Sequence, residues 1–409
     1  MVAMLSPQDA WNRLEAHLQP CATELLARRR ALGRVLAAPV RATLDVPAAD
    51  VSAMDGFAVA GPPGEPLPVA GRIVAGDAPG RVLAVGTALR IMTGAPIPAG
   101  ADRVLPVEVA KLDDQGRVLF STGGEPGDHI RRRGEIVRAG APLVAAGTWL
   151  TPGTLAVLAT HGLGELPVVG LPRVAVLVTG DEVVPPDQQP APGQLRDSHG
   201  DFLLAAVGEL GHTVVHHGIA PDDPAALRDR MVAALAESDI LLTTGGVSMG
   251  ELDHVETVLA ELDFEALVTA VAVQPGKPFV AARRADGKWV FGLPGNPASV
   301  MVSFWLFVRP VLRRLAGSPD GFWHGALAAR LAAAAPGAGP RDRFLPASVQ
   351  TLAGELWVTP HPPRGSHDLD AYGRGTALLR IPAGAVPAAV GAACEILPLV
   401  DWRLGGGVP

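Results

Sequence analysis

Cysteine is almost missing from this 409-residue chain: only Cys21 and Cys394 occur, near opposite ends. That excludes a disulfide framework and a cysteine-built metal site, so any soft metal the protein handles must be held mostly by its own ligand. Lysine is nearly as scarce, at positions 111, 277 and 288 only, against abundant arginine. A lysine retained inside a motif is therefore informative. No apolar stretch of about 18 residues free of proline, glycine and charge is present, and the first residues lack a basic-then-apolar leader pattern. We expect a soluble cytoplasmic protein with no membrane partner. A net charge of −7 leaves no broad basic surface to replace the counterions of a duplex, so nucleic acid is not an expected partner.

What the chain does have is length and apolar content. With 48% hydrophobic residues it can fill sizeable cores, and roughly 100 to 200 residues per domain gives two to four domains. Ser6-Pro7-Gln8-Asp9 predicts a helix start, with Ser6 as N-cap and Pro7 in the first turn, running on through Trp11, Leu14 and Leu18. From about residue 40 to 170, short β-like runs such as RVLAVGTALRIM and ADRVLPVEVA are broken by Gly and Pro. Between residues 172 and 315, apolar runs alternate with helical stretches, which argues for a parallel sheet with crossover helices. Strands are predicted at RVAVLVTG, HTVVHHGI, DILLTTGG, ALVTAVAV and KWVFGLPG. Helices fit from Asp197 or Ser198 to Leu210, from Pro224 to Ala236 and from Pro297 to about Leu315. After Gly317 the Ala/Gly/Pro-rich tract near 332 reads as a linker, followed by β-like runs that make a small C-terminal domain.

Three motifs end predicted strands, where an open parallel sheet binds its ligands. Val178-Thr179-Gly180-Asp181-Glu182 delivers two adjacent carboxylates just beyond a buried strand, or simply a turn with solvated acids. Thr243-Thr244-Gly245-Gly246-Val247-Ser248-Met249-Gly250 has glycines that let the backbone approach an anion and hydroxyls that donate to oxygens. It has neither the Lys of a Walker loop nor the three spaced glycines of a dinucleotide fold. Asp253, which follows, can hold Mg²⁺ between phosphates or cap the next helix. In Leu293-Pro294-Gly295-Asn296-Pro297-Ala298-Ser299, Asn296 is placed as N-cap and Pro297 as first helical residue, so the helix dipole favours an anion. Just upstream, Gln274-Pro275-Gly276-Lys277-Pro278 presents one of the rare lysines on a rigid turn. In the N-terminal half, Ser52-Ala53-Met54-Asp55-Gly56 puts an acid in a tight turn. Thr93-Gly94-Ala95-Pro96 and Arg131-Arg132-Arg133-Gly134-Glu135 follow. Three adjacent arginines make a solvated patch unless they cluster with the acids into an anion grip.

In their order and approximate spacing, SAMDG, RIMTGAP, IRRRGE, VLVTGDE, TTGGVSMGELD, QPGKP and LPGNPAS resemble the MoeA family of molybdopterin molybdenumtransferases, homologous to the C-terminal part of gephyrin. The match spans most of the chain. The resemblance implies a multidomain α/β plus β protein: a linker domain of residues 1–46 with 138–170, a β-rich lobe over 47–137, a parallel-sheet molybdopterin-binding domain over 171–317 similar to the molybdopterin adenylyltransferase fold, and a C-terminal β domain over 318–409. It implies that molybdenum from molybdate is inserted into adenylylated molybdopterin with Mg²⁺-dependent release of AMP. A homodimer would place the active site between subunits, with Asp55 and Thr93 from one chain and Glu182, Asp222 and Asp253 from its partner.

By the same resemblance, Asp55, Thr93, Glu182, Asp222, Asp253 and Lys277 are the catalytic candidates, and Glu182, Asp222 and Asp253 would shape the Mg²⁺ site. Molybdopterin and nucleotide would be held by Thr179, Gly180, Asp181 and Asp197, by Gly245, Gly246, Val247 and Ser248, and by Pro294, Gly295, Asn296 and Pro297. Molybdate, a hard tetrahedral dianion, would be held by Lys277, Pro278, Ser299, Arg341 and Ser366, while the dithiolene sulfurs of the substrate supply the soft ligands. Molybdopterin adenylyltransferase and recipient molybdoenzymes are the implied partners. Three positions depart from the family pattern: Ile136 where an acid often follows the RRRGE segment, Gln274 in place of a frequent lysine, and Pro346 where a second arginine often stands. The competing expectations are a paralogue that binds molybdopterin or tungstate without inserting metal, a gephyrin-like scaffold, and an adenylyltransferase.

Overall fold

The structure, a computed structural model, describes residues 4–246 and 254–399. The chain divides into two compact units, one of residues 25–32 and 36–168, the other of residues 4–24, 33–35 and 169–399 among those described.

In the second unit the alternation of apolar runs and helices builds a six-stranded sheet. Its strands are β1 (Val174–Thr179), β2 (Val214–Ala220), β3 (Ile240–Thr244), β4 (Glu265–Ala270), β5 (Pro278–Arg283) and β6 (Trp289–Leu293), in the order β2-β1-β3-β6-β5-β4. β1 pairs in parallel with β2 and β3, and β3 with β6, whereas β5 and β4 run antiparallel at the far edge. The parallel strands are buried on both faces: β1, β3 and β6 have no exposed residue, as expected when crossover helices cover the sheet. Those helices are α1 (His199–Glu209), α2 (Pro224–Glu237), α3 (Val255–Glu261) and α4 (Pro297–Ser303), the last continuing through a π-helical segment, Phe304–Val308, into Arg309–Leu315. One core, with Leu203, Phe279, Phe291 and Phe307, fills one side of the sheet; another, with Leu227, Met231, Val258 and Leu241, fills the other. Sequence reading missed β5, a short run that begins at Pro278, the last residue of QPGKP, and gave no bounds to α3, a helix of only seven residues that the capping reading of Asp253 implied.

The N-terminal helix, Pro7–Glu15, starts where predicted: the Ser6 hydroxyl accepts the Asp9 N–H at 3.1 Å and donates to its carboxylate at 2.7 Å. It ends earlier than expected, and Leu18 reaches the core from the following turn.

The C-terminal strands Leu327–Leu331, Asp342–Leu352, Glu355–Pro360, Ala377–Ile381 and Ala393–Pro398 close on one another as a barrel, because Asp342–Leu352 pairs with both Glu355–Pro360 and Ala377–Ile381. The tract near 332 is part of this barrel instead of a linker. Ala335 is buried in the barrel core and exchanges backbone hydrogen bonds with Ala388. Val273–Gln274, between β4 and β5, pairs in parallel with Asp342 and Arg343, so the α/β sheet and the barrel share a hydrogen-bonded seam.

In the other unit, Gly56–Val59 lies between Arg103–Pro106 and Ala88–Ile91 in a six-stranded sheet. Gly56 is required there, since a Cβ would lie 2.2 Å from the Leu105 carbonyl oxygen. An apolar helix, Pro152–Thr160, also sits in this unit, within a region read from sequence as β-like.

Candidate active site

Strand order reverses beside β1, whose neighbours β2 and β3 leave in opposite directions, and the connections there open a crevice at the carboxyl ends of the strands. A cavity of about 360 Å³ fills it. Its walls come from the three predicted turns: Thr179, Gly180 and Glu182 after β1, Gly245 and Gly246 after β3, and Pro294, Gly295, Asn296 and Pro297 after β6. The floor is tied together by hydrogen bonds. Thr179 Oγ1 donates to the Thr244 carbonyl at 3.0 Å, and the Gly245 N–H donates to the Leu293 carbonyl at 3.0 Å. Gly245 has φ +88°, and a Cβ there would lie 2.6 Å from Thr179 Oγ1.

The acids of the crevice differ in their commitments. Asp197 is buried and accepts the N–H groups of His199 and Gly200 at 2.9 and 2.8 Å, so its carboxylate caps the amino end of α1 while it lines the crevice. Asp222 lines the crevice with Glu182. Asp222 and Asp181 exchange backbone-to-carboxylate bonds at 3.1 and 3.4 Å. Burial pushes the Asp222 carboxyl up, and the neighbouring Asp181 and Glu182 charges push it further. Asp181 lies on an adjoining depression beside Gln188 and His216, off the crevice wall. Asn296 begins α4 as predicted, but its side chain makes no capping bond; Ser299 and Val300 donate instead to its carbonyl. Val247, Ser248 and Asp253 lie outside the described residues, and among the described residues no group of three or more His, Cys, Asp or Glu is placed to hold a metal ion.

A second cavity, of about 320 Å³, shares Pro278 with the crevice. It gathers all five residues assigned to the oxyanion: Lys277, Pro278, Ser299, Arg341 and Ser366. The seam between sheet and barrel explains how. It carries Arg341 beside the QPGKP turn, where its guanidinium donates to the Val273 carbonyl at 3.1 Å. The Ala298 N–H at the start of α4 donates to the Ser366 carbonyl at 3.1 Å, bringing the two serines to one wall. Among the described residues no carboxylate lines this cavity.

Sequence reasoning missed several wall residues. His199 and Arg196 line the crevice, with His199 Nδ1 3.3 Å from Thr244 Oγ1; burial lowers the His199 pKa and keeps the ring neutral. Arg343 and Tyr372 line the second cavity. Arg343 was legible in principle, because it follows Arg341 by two residues and strand periodicity puts both on one face.

In the other unit, Asp55 and Thr93 meet. The Asp55 carboxylate accepts both the N–H and the hydroxyl of Thr93, each at 2.7 Å, and these two bonds hold its pKa below the usual carboxylate value. The SAMDG and TGAP turns interlock through Gly94 N–H to the Ser52 carbonyl at 2.8 Å and Ser52 N–H to the Ala95 carbonyl at 2.9 Å. Arg132 and Arg133 pair with Asp50 and Asp45, which fixes the turn and leaves little charge for an anion. Ile136 is largely exposed.

Comparison with known proteins identifies the family. Residues 5–162 match the model "MoeA N-terminal region (domain I and II)", residues 175–314 the "Probable molybdopterin binding domain" and residues 328–399 the "MoeA C-terminal region (domain IV)". A molybdopterin molybdenumtransferase 2 of Mycobacterium tuberculosis is 36% identical over 97% of this chain and 100% of its own length. A molybdopterin molybdenumtransferase of Nostoc sp. is 40% identical over 73% of this chain and 71% of its own. The crystal structure of a molybdopterin biosynthesis MoeA protein from Pyrococcus horikosii superposes with a TM-score of 0.82 at 30% identity, covering 98% of this chain and all of that one. The chain therefore belongs to the MoeA family of molybdopterin molybdenumtransferases, enzymes of molybdenum cofactor biosynthesis.

Proposed function

We propose that this chain inserts molybdenum from molybdate into adenylylated molybdopterin and releases AMP in a Mg²⁺-dependent reaction. One observation carries the reading: a glycine-lined crevice at the strand ends and an acid-free, cation-lined cavity meet at Pro278. The crevice suits an extended ligand with anionic and heteroaromatic parts. The cavity suits a small oxyanion, whose oxygens accept hydrogen bonds from Lys277, Arg341, Ser299 and Ser366.

The protein's own sulfur does not compete for the metal. Burial pushes the Cys21 thiol up to about 11 and raises that of Cys394, so both stay protonated near neutral pH. The dithiolene of the substrate is then the soft ligand set. Glu182 and Asp222, with Asp253, would hold Mg²⁺. Their oxygen donors suit a hard dication, and burial, together with the Asp181 and Glu182 charges, raises the Asp222 pKa, a cost that such a charge would offset. Bound there, Mg²⁺ would neutralise charge on the pyrophosphate. His199, neutral in its buried position, lines the crevice without adding charge.

The Asp55–Thr93 pair completes the site, in this proposal, from the partner subunit of a homodimer. Mixing Asp55→Ala and Lys277→Gln chains tests it: random pairing restores about a quarter of the wild-type rate if the site is shared, and none if each chain is self-sufficient. We place the protein in the cytoplasm, between a molybdopterin adenylyltransferase and molybdoenzyme recipients. Among the described residues no helix is long and apolar enough to cross a membrane. The primary test is incubation of the purified chain with adenylylated molybdopterin, Mg²⁺ and molybdate. AMP and molybdenum cofactor are expected together; the absence of both would leave a binding protein without transferase activity.

A further inference from the structure

The oxyanion cavity contains one cation, Arg343, to which the sequence reading gave no role. Along the strand Asp342–Leu352 and the residue before it, Arg341, Arg343 and Leu345 line the cavity, while Asp342 and Phe344 alternate to the opposite face. Asp342, the acid between the two arginines, is occupied elsewhere: it pairs with Arg380 at 2.8 Å and accepts the Ala383 N–H at 2.9 Å. Each cavity guanidinium is anchored to a neutral group, Arg341 to the Val273 carbonyl at 3.1 Å and Arg343 to the Gly337 carbonyl at 3.3 Å. Among the described residues neither has a carboxylate partner, and Lys277 has none either. Three positive charges thus face a small cavity without a counter-charge. Arg341 and Arg343 are half-buried and Lys277 is exposed, and a half-buried guanidinium left without a counter-charge is costly until an anion enters.

The departures at 274 and 346 acquire a physical meaning here. Gln274 lines the cavity as a neutral side chain. Pro346 lies on the same strand face as Phe344, so it takes no part in the wall. Arg343 does, and its planar fork adds several donors to the face already carrying Arg341.

We propose that Arg343 is a third cationic ligand of the oxyanion subsite, matching it to a tetrahedral dianion over a monoanion of the same shape, an inference that rests on the oxyanion reading of this cavity. The test is calorimetric titration of the full chain with molybdate and with perrhenate, a tetrahedral monoanion. Arg343→Gln is expected to weaken molybdate binding about tenfold while weakening perrhenate less. Arg343→Lys, which keeps the charge and loses the fork, falls between. Lys277→Gln serves as the reference for the cavity itself.

If Arg343→Gln binds molybdate as the wild type does while Lys277→Gln does not, Arg343 has no ligand role and the cavity reading stands. If the wild-type chain binds neither anion, the cavity reading fails and takes the proposal with it. If Arg343→Gln weakens both anions equally and lowers the melting temperature, its role is to hold Gly337 and the barrel end, and the proposal is overturned.

Discussion

Replacing Gly245 by alanine should loosen the crevice floor by an amount the geometry fixes. At φ +88° an L-residue occupies the left-handed region, which costs about 1–2 kcal/mol. The new methyl would lie 2.6 Å from Thr179 Oγ1 and 3.1 Å from the Thr179 carbonyl oxygen. Relief requires the buried hydroxyl to turn away from Thr244, breaking a 3.0 Å hydrogen bond worth about 1 kcal/mol. The sum is about 2–3 kcal/mol. A global melt reports all domains together and does not localise the loss. Hydrogen exchange in Val174–Thr179 and Ile240–Thr244 reads the same energy locally, as amides exchanging about 30- to 150-fold faster. Gly295→Ala is the control, because Gly295 has no left-handed φ and its added Cβ would lie 3.7 Å from the Gly245 Cα; its effect stays within about 0.5 kcal/mol. Thr179→Ala removes the oxygen in the way, so the double variant should be less destabilised than the sum of the singles by about 1 kcal/mol. Strict additivity, or equal effects of Gly245→Ala and Gly295→Ala, would refute the clash.

Asp222→Asn removes a charge that burial and two neighbouring carboxylates oppose; thermal stability should hold or rise while AMP release falls at least tenfold, and a fall in both would show the carboxylate to be structural. Thr93→Val deletes one of the two donors to Asp55, so the acid limb of the pH–rate profile should move to higher pH; an unmoved limb separates Asp55 from the chemistry. His199 and His212 are buried with lowered pKa values from the ordinary 6.5. The unfolded chain therefore takes up protons first, and stability should be lost as pH falls below about 6.5, towards the lowered folded values. His199→Gln should flatten that slope in acid denaturation curves. Lys277→Gln should raise the KM for molybdate roughly tenfold or more with little change for the nucleotide substrate; steady-state AMP release against each substrate separates the two.

Much of the α/β sheet was legible because its inner parallel strands β1, β3 and β6 are buried on both faces and end in glycine turns, so pattern and punctuation agree at Thr179, Thr244 and Leu293. Pro224 and Pro297, each opening a helix, marked those helices from sequence alone. Where the reading failed, local signals contradicted tertiary context. Pro278 opens β5 and Pro346 lies inside the longest barrel strand, and proline argues against strand. The alanine-rich tract near 332 has no strand pattern of its own, yet Ala335 is held by pairing with Ala388, more than fifty residues later in the sequence. In the site, the five residues that the resemblance assigns to the oxyanion line one cavity, while nothing in the motif DSH distinguished His199 from an ordinary first-turn residue. Asp197 illustrates a different limit: a carboxylate beside a helix start reads equally as a ligand and as a cap, and its bonds to two N–H groups depend on the observed helix boundary.

The short pairing of Val273–Gln274 with Asp342 and Arg343 has a consequence for how the molecule matures. Lys277 and Ser299 come from the α/β domain and Arg341, Arg343 and Ser366 from the segment after it, the arginines more than forty positions beyond Ser299, so a nascent chain lacking its final quarter has only half of the cavity wall. An anion that engages both halves binds only the finished product and stabilises it by mass action. Under the proposed function the metal oxyanion is such a ligand, and its availability would favour the closed joint between sheet and barrel.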